Sequence, residues 1–278
     1  MPVHLFLLLA SLTTLADHTM KREMHFLSAT AMEIPDRYEL KYLIPESQVD
    51  AVRRAIEPFC VMDPYCASTP QGEYGIASLY LDTANRDLFR ISREHRARRW
   101  KARVRLYDGA DRVFLELKSK DHDMVKKQRA RIAREGWVER IHREPGPDAG
   151  PAERLFSQRI CSYGLVPTLM VHYRREAWLS TVDSYARVTF DREVVAQPWS
   201  HWSFDVDESN WLALDGAHSM LMRPRGVVLE LKSLTAVPRW LTNVVQSVGL
   251  VRARYSKYCK GIERHFARDT LLAVLNQT

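Results

Sequence analysis

Three copies of one tripeptide carry a carboxylate and an ammonium two residues apart: Glu39-Leu40-Lys41, Glu116-Leu117-Lys118 and Glu230-Leu231-Lys232. In an extended strand alternate side chains share a face, so each copy presents Glu and Lys together and Leu on the opposite side. Further basic alternations follow the same rule: Lys101, Arg103 and Arg105; Lys127, Arg129 and Arg131; and Arg187 with Thr189 and Asp191. Guanidinium and ammonium groups bind oxyanions through charge-assisted hydrogen bonds, and carboxylates bind hard divalent cations. A single strand of this kind is an ordinary wet sheet face. Over six such strands, however, Lys41, Arg103, Arg105, Lys118, Arg129, Arg187 and Lys232 face only Glu39, Glu116 and Glu230. A solvated face mixes charge closer to neutrality than that. The pattern suits a polyanion with a metal ion among the carboxylates.

The elements that must position these residues are amphipathic. Strands are predicted near residues 36–44, 76–83, 100–107, 113–119, 126–132, 168–179, 185–194 and 226–233, with Asp108-Gly109 as a hairpin turn. In the strand at 168–179, Met170, His172, Arg174 and Glu176 share a face, and His172 is expected to be a packed histidine. Residues 86–92 read as a short connection and 143–151 as a surface loop. Residues 196–224 read as an irregular insertion whose Trp199, Trp202 and Trp211 serve packing. Helices are predicted from Ser47 to about Phe59, from Ala152 to Tyr163 with Gly164 as C-cap, from Pro238 to Gly249, and after Tyr258 with Ile262, Phe266, Leu271 and Leu275 on one side. Each helix has an apolar stripe that must cover apolar strand faces. The charged faces are then left to turn toward one another around a cavity. Lys101, Lys120 and Arg131 are expected at wet strand ends.

The chain has 278 residues, 46% of them hydrophobic and 27% charged, with 41 Lys and Arg against 34 Asp and Glu. That is a globular composition with an anionic partner implied by its basic balance. Four cysteines without metal-binding spacing are expected to be reduced thiols. Residues 1–32 are expected to be a leader or a mis-assigned start, and 33–278 a single domain. The apolar run Leu5–Ala10 leaves a signal peptide open. No Gly-rich nucleotide-binding fingerprint occurs, so side chains must hold any phosphate.

Taken in order, Arg37-Tyr-Glu-Leu-Lys-Tyr42, Ser78-Leu-Tyr-Leu-Asp-Thr83, Lys101-x-Arg-x-Arg105, Leu115-Glu-Leu-Lys118, Lys127-x-Arg129, Tyr173-Arg174, Arg187-x-Thr-x-Asp191, Leu229-Glu-Leu-Lys232 and Ser256-Lys-Tyr258 resemble the VTC domain of polyphosphate polymerases. This belongs to the triphosphate tunnel metalloenzymes. The resemblance implies an α+β fold: an antiparallel eight-stranded β-barrel tunnel with helices packed outside. It also implies transfer of the terminal phosphoryl group of ATP to inorganic polyphosphate with Mn²⁺ or Mg²⁺ as cofactor. Phosphate or nucleotide would be bound by Lys41, Arg103, Arg105, Lys118, Lys127, Arg129, Arg174, Arg187 and Lys257. Of these, Lys41, Arg103, Arg105, Lys118, Arg174 and Lys257 are expected to be catalytic. Glu230 would be the main metal ligand, assisted by Glu39 and Glu116, while Lys232 would bind phosphate or orient Glu230. Many tunnel enzymes begin with Glu-x-Glu-x-Lys, and Arg37 in place of the first Glu fits the polymerase branch.

Two other classes stay open on the sequence: a metal-dependent tunnel triphosphatase, and a non-catalytic module that binds polyphosphate or inositol phosphates. Nucleic acid is not expected as a partner, because stacking motifs of RNA-binding domains are absent. The expected partners are ATP and polyphosphate, with a membrane protein in a separate chain as a further candidate, and a cytoplasmic location is expected.

Overall fold

In the computed structural model the structure describes residues 38–122, 124–183, 185–215, 226–234 and 236–275, with side chains described up to Phe266 apart from that of Met124. The expected leader, Arg37, and the side chains of Leu271 and Leu275 lie outside the described residues. Every strand predicted from alternation forms: β1 (Tyr38–Pro45), β3 (Tyr74–Asp82), β4 (Arg98–Tyr107), β5 (Arg112–Asp121), β6 (Met124–Ala133), β7 (Val166–Ser180), β8 (Ala186–Pro198) and β10 (Gly226–Ser233). Two short strands were not foreseen, β2 (Cys60–Met62) and β9 (Leu212–Ala213). The main strands pair antiparallel in the order β1-β10-β8-β7-β3-β4-β5-β6, with β2 added to β7 and β9 to β8. Gly109, with φ of 67°, makes the tight turn from β4 to β5.

The sheet curls. Glu39, on the first strand of the path, reaches Lys118, on the last strand but one, at 2.5 Å. Among the described residues β1 and β6 do not pair, so the barrel expected from the sequence is a curled, half-closed sheet whose seam is bridged by side chains. The outer edge of β1 is covered instead by the chain before the last helix, where Ala253 N–H donates to Lys41 C=O at 2.7 Å.

The convex face is apolar and carries helices. Tyr42, Ile44, Val188, Phe190, Leu229 and Leu231 pack with the helices α1 (Val49–Ile56) and α6 (Arg239–Ser247). Leu79, Val104, Val113 and Leu115 pack with α4 (Trp137–His142) and α5 (Pro151–Tyr163). Each aliphatic side chain so buried contributes about 1.5–3 kcal/mol. Trp199, Trp202 and Trp211 join this second cluster, as their reading as packing residues requires.

Like α4, two of the remaining helices were not foreseen, α2 (Pro64–Ala67) and α3 (Asp87–Arg93), the latter in the stretch read as a short connection. Both are too short for apolar periodicity to register. The α3 helix is instead nucleated from outside itself: Asp82, the last residue of β3, accepts N–H bonds from Leu88 and Phe89 at 2.9 Å each. The last helix, α7 (Lys257–Leu275), departs from the outward packing. Tyr258, Cys259 and Ile262 pack on the concave side against Tyr80, Leu169, Val171 and Val194. A bulge in β8 makes this fit. Register with β7 shifts beside Glu193, whose φ is 51°, so the inward row runs Arg187, Thr189, Asp191 and then Val194, Ala196. One half of the concave face is thereby charged and the other apolar, and α7 fills the apolar half.

Candidate active site

Register fixes the inward row of each strand, because residues directly opposite each other share a face. Glu39 lies opposite Lys232 and Lys41 opposite Glu230. Lys101, Arg103 and Arg105 lie opposite Lys118, Glu116 and Phe114. Lys118, Glu116 and Phe114 in turn face Lys127, Arg129 and Arg131. The alternation that makes each strand amphipathic therefore stacks the charged residues into one wall-to-wall lining.

Two ion cages form within it. In the first, Glu116, 1% exposed, is held by Arg103 at 2.6 Å and Lys127 at 2.6 Å, with Arg129 at 3.4 Å and Arg105 at 3.7 Å. Burial by itself would raise the Glu116 carboxyl; the four cations outweigh it and hold the group well below the usual carboxylate range. Tyr107 accepts from Arg105 at 3.4 Å and from Arg129 at 3.2 Å. Arg103 also donates to the Tyr80 hydroxyl at 2.9 Å.

In the second cage Glu230 meets Lys41 at 2.9 Å, Lys232 at 2.8 Å, Lys257 at 3.7 Å and Arg175 at 3.8 Å. Burial opposes its ionisation, and these cations again dominate and lower it. Asp191, fully buried, takes Arg175 through two bonds of 2.6 and 2.8 Å and also pairs with Lys257. Glu39 sits diagonally beside Glu230, and its Lys118 partner closes the seam. Burial pushes the Lys232 ammonium down to about 8 in spite of Glu230.

Most of the residues proposed from sequence are thus brought to the concave side. Two are not part of the cages. Arg174 shares its face with Met170 and Glu176, and that face is the outer one: Arg174 pairs with Glu73 at 2.7 Å, and Glu176 with Arg53 of α1 at 2.6 Å. Strand parity therefore puts Arg175, not Arg174, in the site. Arg187 lies on the inward row beyond Lys232 but turns to Asp63 at 3.3 Å. Lys101, expected at a wet strand end, donates to Ser256 Oγ at 2.7 Å and is part-buried. His172 lies on the outer face near Trp211, its basicity lowered chiefly by burial.

Asp191, Arg175 and Ser256 were given no site role by sequence reasoning. The signal for Asp191 was its alternation with Arg187 and Thr189, and for Arg175 its parity with Ala177 and Tyr173. Contact between the start of α7 and β4 has no local signal.

The carboxylates test what metal the site could take. Among the described residues no group of three or more His, Cys, Asp or Glu converges. An all-protein metal cage is therefore not built. Glu230 with Glu39 beside it fits an ion of the Mg²⁺ or Mn²⁺ type, which is held by one or two carboxylates and completed by phosphate oxygens. A mouth of about 950 Å³ opens beside Glu39, Lys41 and Lys101 of this lining and is bordered also by Arg99, Lys120 and Arg254. All four cysteines are free thiols. No helix among the described residues is long and apolar enough to cross a membrane.

Among solved structures, the chain is similar to a protein from Pyrococcus horikoshii OT3, at 16% identity and a TM-score of 0.43, covering 83% of this chain and 98% of that one. It is also similar to a protein from Bacillus halodurans proposed as an adenylate cyclase, at 10% identity and a TM-score of 0.47, covering 80% and 94%. A third, from Hippeastrum, was proposed as an adenylyl cyclase and is described as having a dominant triphosphatase activity; it is 14% identical with a TM-score of 0.43, covering 80% and 93%. No curated protein matches the sequence. The sequence model of the VTC domain, by contrast, matches residues 36–266, the whole of the curled sheet and the start of its C-terminal helix, and the chain belongs to the VTC domain family.

Proposed function

We propose that the protein is an ATP-dependent polyphosphate polymerase. The observation that supports this best is the pair of cation-rich cages on one concave face, which together hold more positive than negative charge and leave it to an incoming polyanion to balance them. Such a face suits phosphoryl transfer, where the protein positions in-line groups and neutralises charge.

In this reading Arg103, Arg105, Lys118, Lys127 and Arg129 hold phosphate oxygens from one wall, and Lys41, Arg175, Lys232 and Lys257 from the other. Lys257 and Arg175 are themselves fixed by Asp191. Glu230, with Glu39, would hold Mn²⁺ or Mg²⁺, which neutralises phosphate charge when bound. A terminal oxygen of the polyphosphate acceptor forms a bond to the γ-phosphorus of ATP. The bond from that phosphorus to the β–γ bridging oxygen breaks, and its electron pair leaves with ADP. No side chain needs to take a proton from the acceptor, since a phosphate chain end is already an anion. Arg187 serves, in this reading, at the rim rather than among the reacting groups.

The experiment is incubation of the purified full chain with ATP and Mn²⁺, with gel analysis of the products. ADP and a ladder of polyphosphate are expected, and Glu230→Ala should reduce product formation by about 100-fold or more, the scale on which loss of a key electrostatic group acts. Free phosphate as the sole product would instead assign a triphosphatase, and tight binding without turnover under either metal a sensor.

A further inference from the structure

We infer that Glu116 is a resident counter-anion standing where a phosphate group binds, and that its cage is a metal-free polyanion cradle rather than part of the metal site. The inference rests on the phosphate-handling reading above and divides that site into two unlike halves.

Both oxygens of Glu116 are already taken by cations. Arg103 donates to Oε2 through Nε at 2.7 Å and sits with Nη2 at 2.6 Å, while Lys127 donates to Oε1 at 2.6 Å. A divalent ion at either oxygen would stand within a few ångströms of four cations and gain one carboxylate. Repulsion of that kind is only weakly screened in a buried site. The Glu230 half differs: there Asp191 and Glu39 add carboxylates to the same set of cations.

The cradle also has donors that a carboxylate does not use. Among the described residues Arg105 Nε is buried with no hydrogen-bond partner, and so is Ser78 Oγ, which lies directly opposite Arg105 on β3, while Arg129 Nε has only a long ion pair of 3.4 Å to Glu116. Arg105 is itself 5% exposed and Ser78 fully buried. Buried polar groups are nearly always paired, so two orphans side by side on one wall point to a ligand. A carboxylate has two oxygens; a phosphate group in a chain presents two or three and accepts more donors in more directions. Glu116 thus holds the cations apart and oriented until a phosphate displaces it from them. Its role is positioning, since it repels the ligand whose partners it arranges.

Calorimetric titration of tripolyphosphate into the full chain, in EDTA and again with Mn²⁺, separates the halves. Glu116→Gln removes the charge at nearly constant volume. It should bind tripolyphosphate in EDTA about tenfold or more tighter than the unaltered chain, a gain of roughly 1.4 kcal/mol, and should keep the Mn²⁺-dependent increase. Glu230→Gln should lose that increase and keep its binding in EDTA. Unchanged or weaker binding by Glu116→Gln in EDTA, or loss of its Mn²⁺ increment, overturns the inference. Should Glu116→Gln fail to fold, Ser78→Ala and Arg129→Gln leave the closest Glu116 pairs in place. Each should weaken binding in EDTA while the Mn²⁺ increment persists, and unchanged binding in both overturns the inference. Absence of tripolyphosphate binding by the unaltered chain in either buffer would overturn the phosphate reading as well, whereas binding with the wrong order of variants would sink only the assignment of Glu116.

Discussion

Tyr107 stands with its hydroxyl between the guanidiniums of Arg105 and Arg129. Burial would raise its phenol, but the two cations more than offset this and bring it down to about 8. A folded-state value below the ordinary value near 10 means that ionisation of Tyr107 adds to stability as pH rises from about 8 towards 10, and that this contribution is lost as pH falls through 8. Ultraviolet titration should therefore show one phenolate appearing near pH 8, absent in Tyr107→Phe; an unaltered low-pH step in that variant would assign it elsewhere. A second test at this scale concerns neighbours in the chain. Arg175→Gln removes one of the two cations paired with the fully buried Asp191, which costs up to about 3–5 kcal/mol, and should also cut tripolyphosphate binding. Arg174→Gln removes a half-exposed pair with Glu73, worth at most about 1 kcal/mol, and should leave binding intact. Equal effects of the two on binding would contradict the parity of β7.

At the scale of elements, the helix α7 is held on the concave face by close approach and by one carboxylate. A Cβ on Gly261 would fall 2.5 Å from Leu169 Cδ2 and 3.2 Å from Ala196 Cβ. Gly261→Val should accordingly push the helix off the sheet, at the 1–3 kcal/mol typical of overpacking, and carry Lys257 away from Asp191 and Glu230. Denaturant unfolding and tripolyphosphate binding would both register this, and a fully stable variant with unchanged binding would show that the helix does not seat there. Asp82 ties α3 to the same element, since its carboxylate caps Leu88 and Phe89 and also accepts from Tyr258. The strands behave differently. Their inward rows were legible because Lys, Arg and Glu at every second position leave one face for packing, whereas α3 was hidden because its cap lies in the preceding strand.

For the whole molecule, the consequence is a fold that gathers more positive than negative charge on its concave face, which a bound polyanion would offset. The lysines Lys101, Lys118, Lys127 and Lys232 are all pushed down, first by burial and then by neighbouring cations. Tripolyphosphate should raise the melting temperature with concentration, by about 2.7 kcal/mol of stability at a hundred times the Kd. High salt should weaken binding and with it the shift, and a melting point indifferent to tripolyphosphate would mean that the interior is balanced without it. The sequence by itself determined the eight main strands, their two-sided character, the basic lining and the family, because alternation and charge are local properties of the chain. It did not determine how far the sheet curls, that its seam is bridged by Glu39 and Lys118 rather than by strand pairing, that α7 lies inside, or which of Arg174 and Arg175 enters the site. Tertiary structure decided these, because register, the bulge at Glu193 and contacts between residues far apart in the chain are set by how the whole sheet packs. The same holds for the Glu-Leu-Lys copies. Their spacing does not rank the three carboxylates and the family resemblance puts Glu230 first, whereas folding gathers four cations around Glu116 and places a second carboxylate, Glu39, beside Glu230.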